Sequence, residues 1–140
     1  MVRAMLIAVL ITIGLQGNAQ TESRITRYNY FFLEAIRQQE MGNLAAAFDL
    51  LNHARDINPK APEVYYEIAG YYVAMQNSKA ARYNFEQAAK LAPDNSTYLE
   101  KLGQFYISQN NYEDALTTYE QLYTSNKTRE DVLQILYQLY

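Results

Sequence analysis

The sequence predicts an all-α fold built from helix pairs that recur every 34 residues. From position 28 onward, apolar residues are spaced by three and four positions, as on one face of an α-helix. Tyr65 and Ile68 show this spacing, and Leu99 and Leu102 repeat it 34 positions later. No segment alternates apolar and polar residues over the length of a strand. We therefore expect a helical repeat array without strands.

Composition excludes several classes of function. The chain has 140 residues, about one domain, and 49% of them are hydrophobic, which favours a packed structure. Its formal net charge is −3 and its basic residues are scattered, so a nucleic-acid partner is not expected. The absence of cysteine excludes disulfides, thiolate metal sites and cysteine nucleophiles. A single histidine excludes a multi-histidine metal site within this chain.

The N-terminus has the three parts of a secretory signal peptide. Arg3 precedes an apolar run, Ala4–Leu15, and small residues follow near Ala19. Those 12 apolar residues would cover roughly 18 Å as a helix, against a hydrocarbon core of ~30 Å. We therefore predict that residues 1–19 are a cleaved signal peptide and that the mature chain begins at Gln20. An uncleaved membrane anchor is the alternative. Export is expected, to the periplasm or otherwise to the medium or the envelope.

Residues 20–27 are predicted to be an N-terminal cap or a linker, and residues 28–61 to be the first helix pair. Its second half follows the repeat, with Gly42 at the turn. Its opening helix departs from the pattern, because Glu34 and Gln38 stand where large apolar residues are expected.

Residues 62–95 are the most regular copy. Ser78 is a suitable N-cap for the second helix of this pair, and Pro93 ends that helix because proline cannot continue it. Ala69 and Ala81 are small where the two helices of the pair should approach most closely. Large residues stand where more space is expected.

Residues 96–129 form the third copy, and residues 130–140 begin a fourth with an opening helix that lacks its partner. This last segment is apolar on nearly every side, whereas a terminal capping helix needs a polar outer face. We expect either that the natural chain continues beyond Tyr140 or that this end self-associates.

The repeat resembles the tetratricopeptide repeat family. The middle copy has the family's large, small and proline positions at Tyr65, Ile68, Ala69, Tyr72, Ala81, Phe85, Ala88 and Pro93. The third copy departs from the family at Lys127, where proline is usual. The resemblance implies a right-handed superhelical solenoid of antiparallel helix pairs, with three repeats and the first helix of a fourth. The leader also resembles those of exported Bacteroidetes proteins.

No residue pattern indicates catalysis, a cofactor or a metal. His53 falls on a helix position that faces solvent in this family. The acidic pairs Glu113-Asp114 and Glu130-Asp131 each begin a helix, where negative charge offsets the helix dipole. The sequence has neither a phosphate-binding glycine loop nor a nucleophile elbow. We therefore predict that the protein is not an enzyme and needs no cofactor.

The resemblance also implies a concave groove that binds a protein or peptide segment. In this family the groove is lined by the outward positions of each opening helix. The corresponding residues here are Phe32, Ile36, Glu63, Tyr66, Gly70, Val73, Glu100, Gln104 and Ile107. This lining suits an apolar or amphipathic segment with some positive charge. Residues 20–27 would instead cover Phe32 and Ile36 if they folded back as a cap.

One subclass of the family grips the acidic C-terminus of chaperones with Lys, Asn and Arg side chains. The equivalent positions here are Phe32, Ile36, Glu67, Thr97 and Lys101. Four of the five cannot supply such a clamp, so that class of ligand is not expected.

The sequence thus predicts an exported scaffold that binds another protein through its groove, without membrane contact by the repeats. The alternative is that the array is the sensory or interaction region of a larger membrane-bound signalling protein, such as a kinase or a transcription regulator.

Overall fold

The computed structural model describes the backbone of residues 2–140 and the side chains of residues 18–140. Over this range the chain forms helices and no strand, as the apolar spacing predicts. The helices are α1 Val2–Glu40, α2 Leu44–Ile57, α3 Pro62–Ala74, α4 Ser78–Leu91, α5 Ser96–Ser108, α6 Tyr112–Ser125 and α7 Glu130–Leu139. In the described part, no helix is both long enough and apolar enough to cross a membrane.

The chain divides into two compact units, Met1–Pro59 and Lys60–Tyr140. In the first unit α1 packs against α2, around buried Tyr28, Ala35, Ala47, Leu51 and Ala54. The second unit contains the pairs α3–α4 and α5–α6 and the single helix α7.

The N-terminal predictions fall partly outside the described side chains. The predicted signal peptide, residues 1–19, lies almost entirely outside the range of described side chains, which begins at Asn18. Residues 20–27 are helical and continuous with the rest of α1, where a separate cap or linker was expected. Because a continuous helix advances along its axis, these residues extend away from Phe32 and Ile36 and do not fold back over them.

The polar residues in the first opening helix have a local explanation. Glu34 accepts hydrogen bonds from Arg37 Nε (2.8 Å) and from Gln38 Nε2 (2.7 Å). These bonds lower the pKa of the Glu34 carboxyl to about 2. Gln38 Oε1 in turn accepts from Asn43 Nδ2 at 2.7 Å. Side-chain hydrogen bonds at the helix end thus replace the apolar contacts of the other copies.

The 34-residue period is also present in the backbone of the turns. The turn residues Gly42, Gln76 and Asn110 all have positive φ, of 80°, 57° and 57°. The residue after each is an asparagine whose N–H donates to the carbonyl five positions earlier, at 2.9 Å in every copy. This is the Schellman pattern that ends a helix with one left-handed residue. The three copies therefore share one turn geometry despite different side chains.

Asparagine side chains cap the N-termini of three of the described helices. Asn77 Oδ1 accepts from the Ala80 N–H at 3.1 Å, so Asn77 is the N-cap of α4, and the prediction of Ser78 was wrong by one residue. The Asn side chain reaches the third N–H of the helix, while Ser78 is already the first helical residue. Asn95 and Asn111 cap α5 and α6 in the same way.

A polar network connects the α3–α4 pair to the α5–α6 pair within the second unit. Arg82 in α4 donates to Glu86 (2.7 Å) and to Asp114 in α6 (2.9 Å), and its guanidinium lies 5.2 Å from the centroid of the Tyr106 ring. The Tyr106 hydroxyl donates to Glu86 at 2.7 Å, and burial raises the pKa of that hydroxyl. Because Arg82 and Glu86 are substantially exposed, their ion pair adds little to the free energy of unfolding.

Replacing Ala81 with Leu is expected to lower the free energy of unfolding by ~1–3 kcal/mol. Ala81 is fully buried, as is Ala69. The added carbons of leucine would therefore have to displace core atoms around α4. The measurement is urea denaturation followed by circular dichroism. Ala74→Leu is the matched control, since Ala74 is exposed at the end of α3. If Ala81→Leu were as stable as the control, the predicted close contact at Ala81 would be wrong.

Candidate functional site: a pocket between α3 and α5

A pocket of about 460 Å³ opens on the second unit, between α3 and α5. Its lining combines aromatic, small and charged side chains. They are Tyr66, Glu67, Gly70 and Val73 from α3, Phe85 from α4, and Lys101, Gln104, Phe105 and Ser108 from α5. Four of the predicted groove residues are therefore among them: Tyr66, Gly70, Val73 and Gln104.

Local helix geometry explains the α3 wall of the pocket. Tyr66, Gly70 and Val73 are spaced by four and three positions, so they lie on one face of the helix. Pro62 is the first residue of α3, where its missing N–H costs no intrahelical hydrogen bond. The opposite face, with Val64 and Ile68, is fully buried. The core thus holds α3 with its pocket face outward.

The other predicted groove residues of this unit do not line the pocket. Glu100 accepts hydrogen bonds from Arg129 (3.1 Å) and from Gln104 (3.4 Å). Ile107 is half-buried and packs against the apolar core. Glu63 is half-buried on α3, one turn before Glu67.

Phe32 and Ile36 lie in the first unit, on α1, and both are half-buried. The Phe32 ring stacks on that of Tyr28, with a centroid distance of 5.8 Å and an interplanar angle of 14°. Tyr28 is itself buried, so Phe32 extends an aromatic contact from the core of the first unit towards its surface.

The predicted groove set does not include five lining residues: Glu67, Phe85, Lys101, Phe105 and Ser108. Of these, Glu67 and Lys101 are positions equivalent to the chaperone clamp of the family. On α5 the predicted face contained Glu100, Gln104 and Ile107, whereas the pocket uses Lys101, Gln104 and Ser108. Since successive helix residues are about 100° apart, the pocket-lining positions of α5 lie to one side of the predicted face and share only Gln104 with it. The spacing of three and four positions is equally regular on both faces, so only the packing of α5 distinguishes them.

Aromatic rings form the inner part of the pocket. The centroids of Tyr66 and Tyr98 are 5.1 Å apart, and Phe85 meets Tyr66 edge to face at 6.3 Å. Phe85 also contacts Phe105, with centroids 5.4 Å apart. These rings connect α3, α4 and α5 and leave apolar surface at the pocket.

Charge is unevenly distributed around these rings. Partial burial raises the pKa of the Tyr66 hydroxyl, and the nearby Glu67 carboxylate raises it further. Burial also raises the pKa of Tyr98, with added contributions from the carboxylates of Glu63 and Glu67. On the α5 side, Lys101 Nζ donates to Gln104 Oε1 at 3.4 Å. The α3 side of the pocket is thus acidic, and the α5 side has one ammonium group.

The last helix presents a second apolar surface. Val132 and Leu136 are buried, but Leu133, Tyr137 and Tyr140 are 50%, 84% and 82% exposed. These residues and parts of α6 surround a shallow space of about 700 Å³. The Tyr140 hydroxyl donates to Glu120 at its edge. The exposed side of α7 thus combines these apolar residues with the polar Gln134 and Gln138.

The single histidine and two acidic residues at helix starts have local structural roles. His53 is exposed, as predicted, and its ring lies edge to face against Phe31 at 4.3 Å. Asp114 and Asp131 lie in the first turns of α6 and α7, and the hydrogen bond from Arg129 lowers the pKa of Asp131 to about 2. Among the described residues, no cluster of His, Asp and Glu could hold a metal ion.

Comparisons with known proteins agree with this geometry. A family model of the tetratricopeptide repeat matches residues 72–137. No match is found among curated protein sequences.

Solved structures share the fold at low sequence identity. The first tetratricopeptide domain of Spaghetti (RPAP3), bound to the HSP90 peptide SRMEEVD, is 15% identical, with a TM-score of 0.66 over 81% of this chain and 93% of that one. MamA is 18% identical, with a TM-score of 0.69 over 81% of this chain and 66% of MamA. The tetratricopeptide domain of Arabidopsis OM64 is 11% identical, with a TM-score of 0.68 over 83% and 96%. The chain spans slightly less than two thirds of MamA. Its fold is that of an all-α tetratricopeptide repeat array.

Proposed function

We propose that the protein is an exported interaction scaffold that binds a segment of a partner protein in the pocket between α3 and α5. The observation that supports this most is the gathering of Tyr66, Gly70, Val73 and Gln104 around one open, mostly apolar space. An apolar pocket with a few polar groups at its edge is the usual form of a recognition site. The tetratricopeptide fold is generally a non-enzymatic interaction fold.

Export is proposed from the leader in the sequence. Its basic start, apolar run and small residues before Gln20 support a periplasmic location. The partner would then be another exported or envelope protein. Self-association through residues 130–140 stays a prediction, supported by the exposed Leu133, Tyr137 and Tyr140.

The alternative proposal is that the array is the interaction region of a larger signalling protein. Both proposals use the same pocket, and they differ in what the natural chain contains beyond the repeats. A following run of ~20 apolar residues and a new domain would favour signalling, whereas further repeats would favour the scaffold.

Replacing Tyr66 with Ala is expected to remove partner binding while the fold is retained. Tyr66 is half-buried and lines the pocket, so its loss removes aromatic surface there. Because the ring also contacts Phe85 and Tyr98, circular dichroism checks that the variant keeps the fold. The measurement is a pull-down from periplasmic extract with wild-type and variant protein, with partners identified by mass spectrometry. Tyr83→Ala is the matched control, because Tyr83 is 55% exposed on α4 and does not line the pocket.

Wild type and Tyr83→Ala should recover the same partner, and Tyr66→Ala should recover at least about tenfold less, as for the loss of a central aromatic contact. Equal recovery by all three proteins would contradict the proposed site.

A further inference from the structure

Gly70 opens the pocket at a position where helix packing does not require glycine. It lies inside α3, and a Cβ built on it would meet no heavy atom within 4 Å. A glycine inside a helix costs about 1 kcal/mol relative to alanine. Gly103 in α5 is different, because its Cβ would lie 2.7 Å from the Tyr119 ring. Gly103 thus permits a close contact inside the fold, whereas Gly70 only leaves the surface open.

The space above Gly70 has apolar walls. Phe85 and Phe105 lie at its inner side, and Val73 is 48% exposed at its edge. Leaving such surface in water is unfavourable, and covering it with an apolar side chain recovers that free energy. The space is therefore suited to a bulky apolar side chain of a partner.

The end of the pocket at Tyr66 favours a cation. Glu67 lines the pocket, and Glu63 precedes it by one helical turn. The aromatic faces of Tyr66 and Tyr98 add attraction for an ammonium or guanidinium group and none for a carboxylate. Lys101 is the positive group on the opposite wall, and its Nζ bonds to Gln104. The carboxylate of Glu67 and the Tyr66 ring therefore lie together at one end of the pocket, and Lys101 lies on the other wall.

We infer that the partner segment places a bulky apolar side chain over Gly70 and a neighbouring lysine or arginine beside Glu67 and Tyr66. This inference rests on the proposed function and adds the chemistry of the partner. An acidic segment is the competing ligand, since Lys101 is the one pocket-lining group that would attract it.

The test measures binding of short synthetic peptides to the full chain by fluorescence anisotropy. One labelled peptide has a central phenylalanine flanked by lysines, a second has the phenylalanine flanked by glutamates, and a third has alanine flanked by lysines. The first should bind about tenfold more tightly than the third, from burial of the ring. It should also bind at least about fivefold more tightly than the second, and this difference should shrink at high salt.

Two variants locate the binding. Gly70→Leu fills the space over α3 and should weaken the first peptide at least about tenfold. Glu67→Lys should reverse the preference between lysine-flanked and glutamate-flanked peptides. Glu40→Lys is the matched control, because Glu40 is exposed and outside the pocket, so its preference should equal that of wild type. Circular dichroism checks that each variant is folded.

The outcomes separate this inference from the proposed function. If the glutamate-flanked peptide bound more tightly and Gly70→Leu abolished that binding, the pocket would stand and the basic partner would be wrong. If binding were indifferent to Gly70→Leu, or no peptide bound, this inference would be overturned, and the function would be judged from the Tyr66→Ala pull-down alone.

Discussion

Replacing Leu122 with Ala is expected to lower the free energy of unfolding by about 2–5 kcal/mol. Leu122 is fully buried in α6, within the apolar core that includes Ala115, Tyr119, Val132 and Leu136. Truncation removes apolar contacts and leaves a cavity that the surrounding side chains fill only in part. Since small domains are marginally stable, a loss of this size should shift the urea midpoint strongly.

Leu133→Ala provides the comparison for this prediction. It makes the same chemical change in the same unit, but Leu133 is 50% exposed in α7. Its loss should be below about 1 kcal/mol, because little burial is removed. Similar losses for the two variants would contradict the burial of Leu122 in this core.

The repeat period predicted most of the fold because each turn is a local property of the chain. The turn at Gly42, Gln76 and Asn110 needs only one left-handed residue and a following asparagine, and both recur every 34 positions. The helix ends follow from the same residues. Local rules therefore gave the order of the helices without reference to the tertiary contacts.

The lining of the pocket depends on contacts between helices, and it coincides with the predicted groove at Tyr66, Gly70, Val73 and Gln104. Phe85 of α4 contacts Tyr66 of α3 and Phe105 of α5, and these contacts connect the three helices. On α5, Lys101 and Ser108 line the pocket, whereas Ile107 packs against the core. A regular spacing cannot distinguish neighbouring helix faces, because they have the same period.

Glu34 shows a different reason for a departure from the repeat. Its side chain stands at an apolar position, and hydrogen bonds from Arg37 and Gln38 satisfy it within α1. The sequence contains all three residues, so this compensation could have been recognised from their spacing of three and four positions. The opening helix was harder to predict because its stabilising contacts are polar.

Gly103→Leu and Gly70→Leu make the same chemical change in two helices of one unit, with opposite expectations. At Gly103 the first added carbon already lies 2.7 Å from Cε2 of Tyr119, and that ring is 1% exposed. The ring cannot move away without disturbing α6, so we expect a loss of about 3 kcal/mol or more. At Gly70 the added side chain meets open space, and the better helix propensity of leucine should raise stability by about 0.8 kcal/mol.

Urea denaturation of the two variants measures these opposite changes directly. The peptide assay should then show weaker binding by Gly70→Leu than by wild type, although Gly70→Leu is the more stable protein, because its pocket is filled. A Gly70→Leu protein that lost stability as Gly103→Leu does would show that Gly70 is required for helix packing. The inference that Gly70 leaves room for a partner side chain would then fail, since its conformational cost would already be explained by the fold.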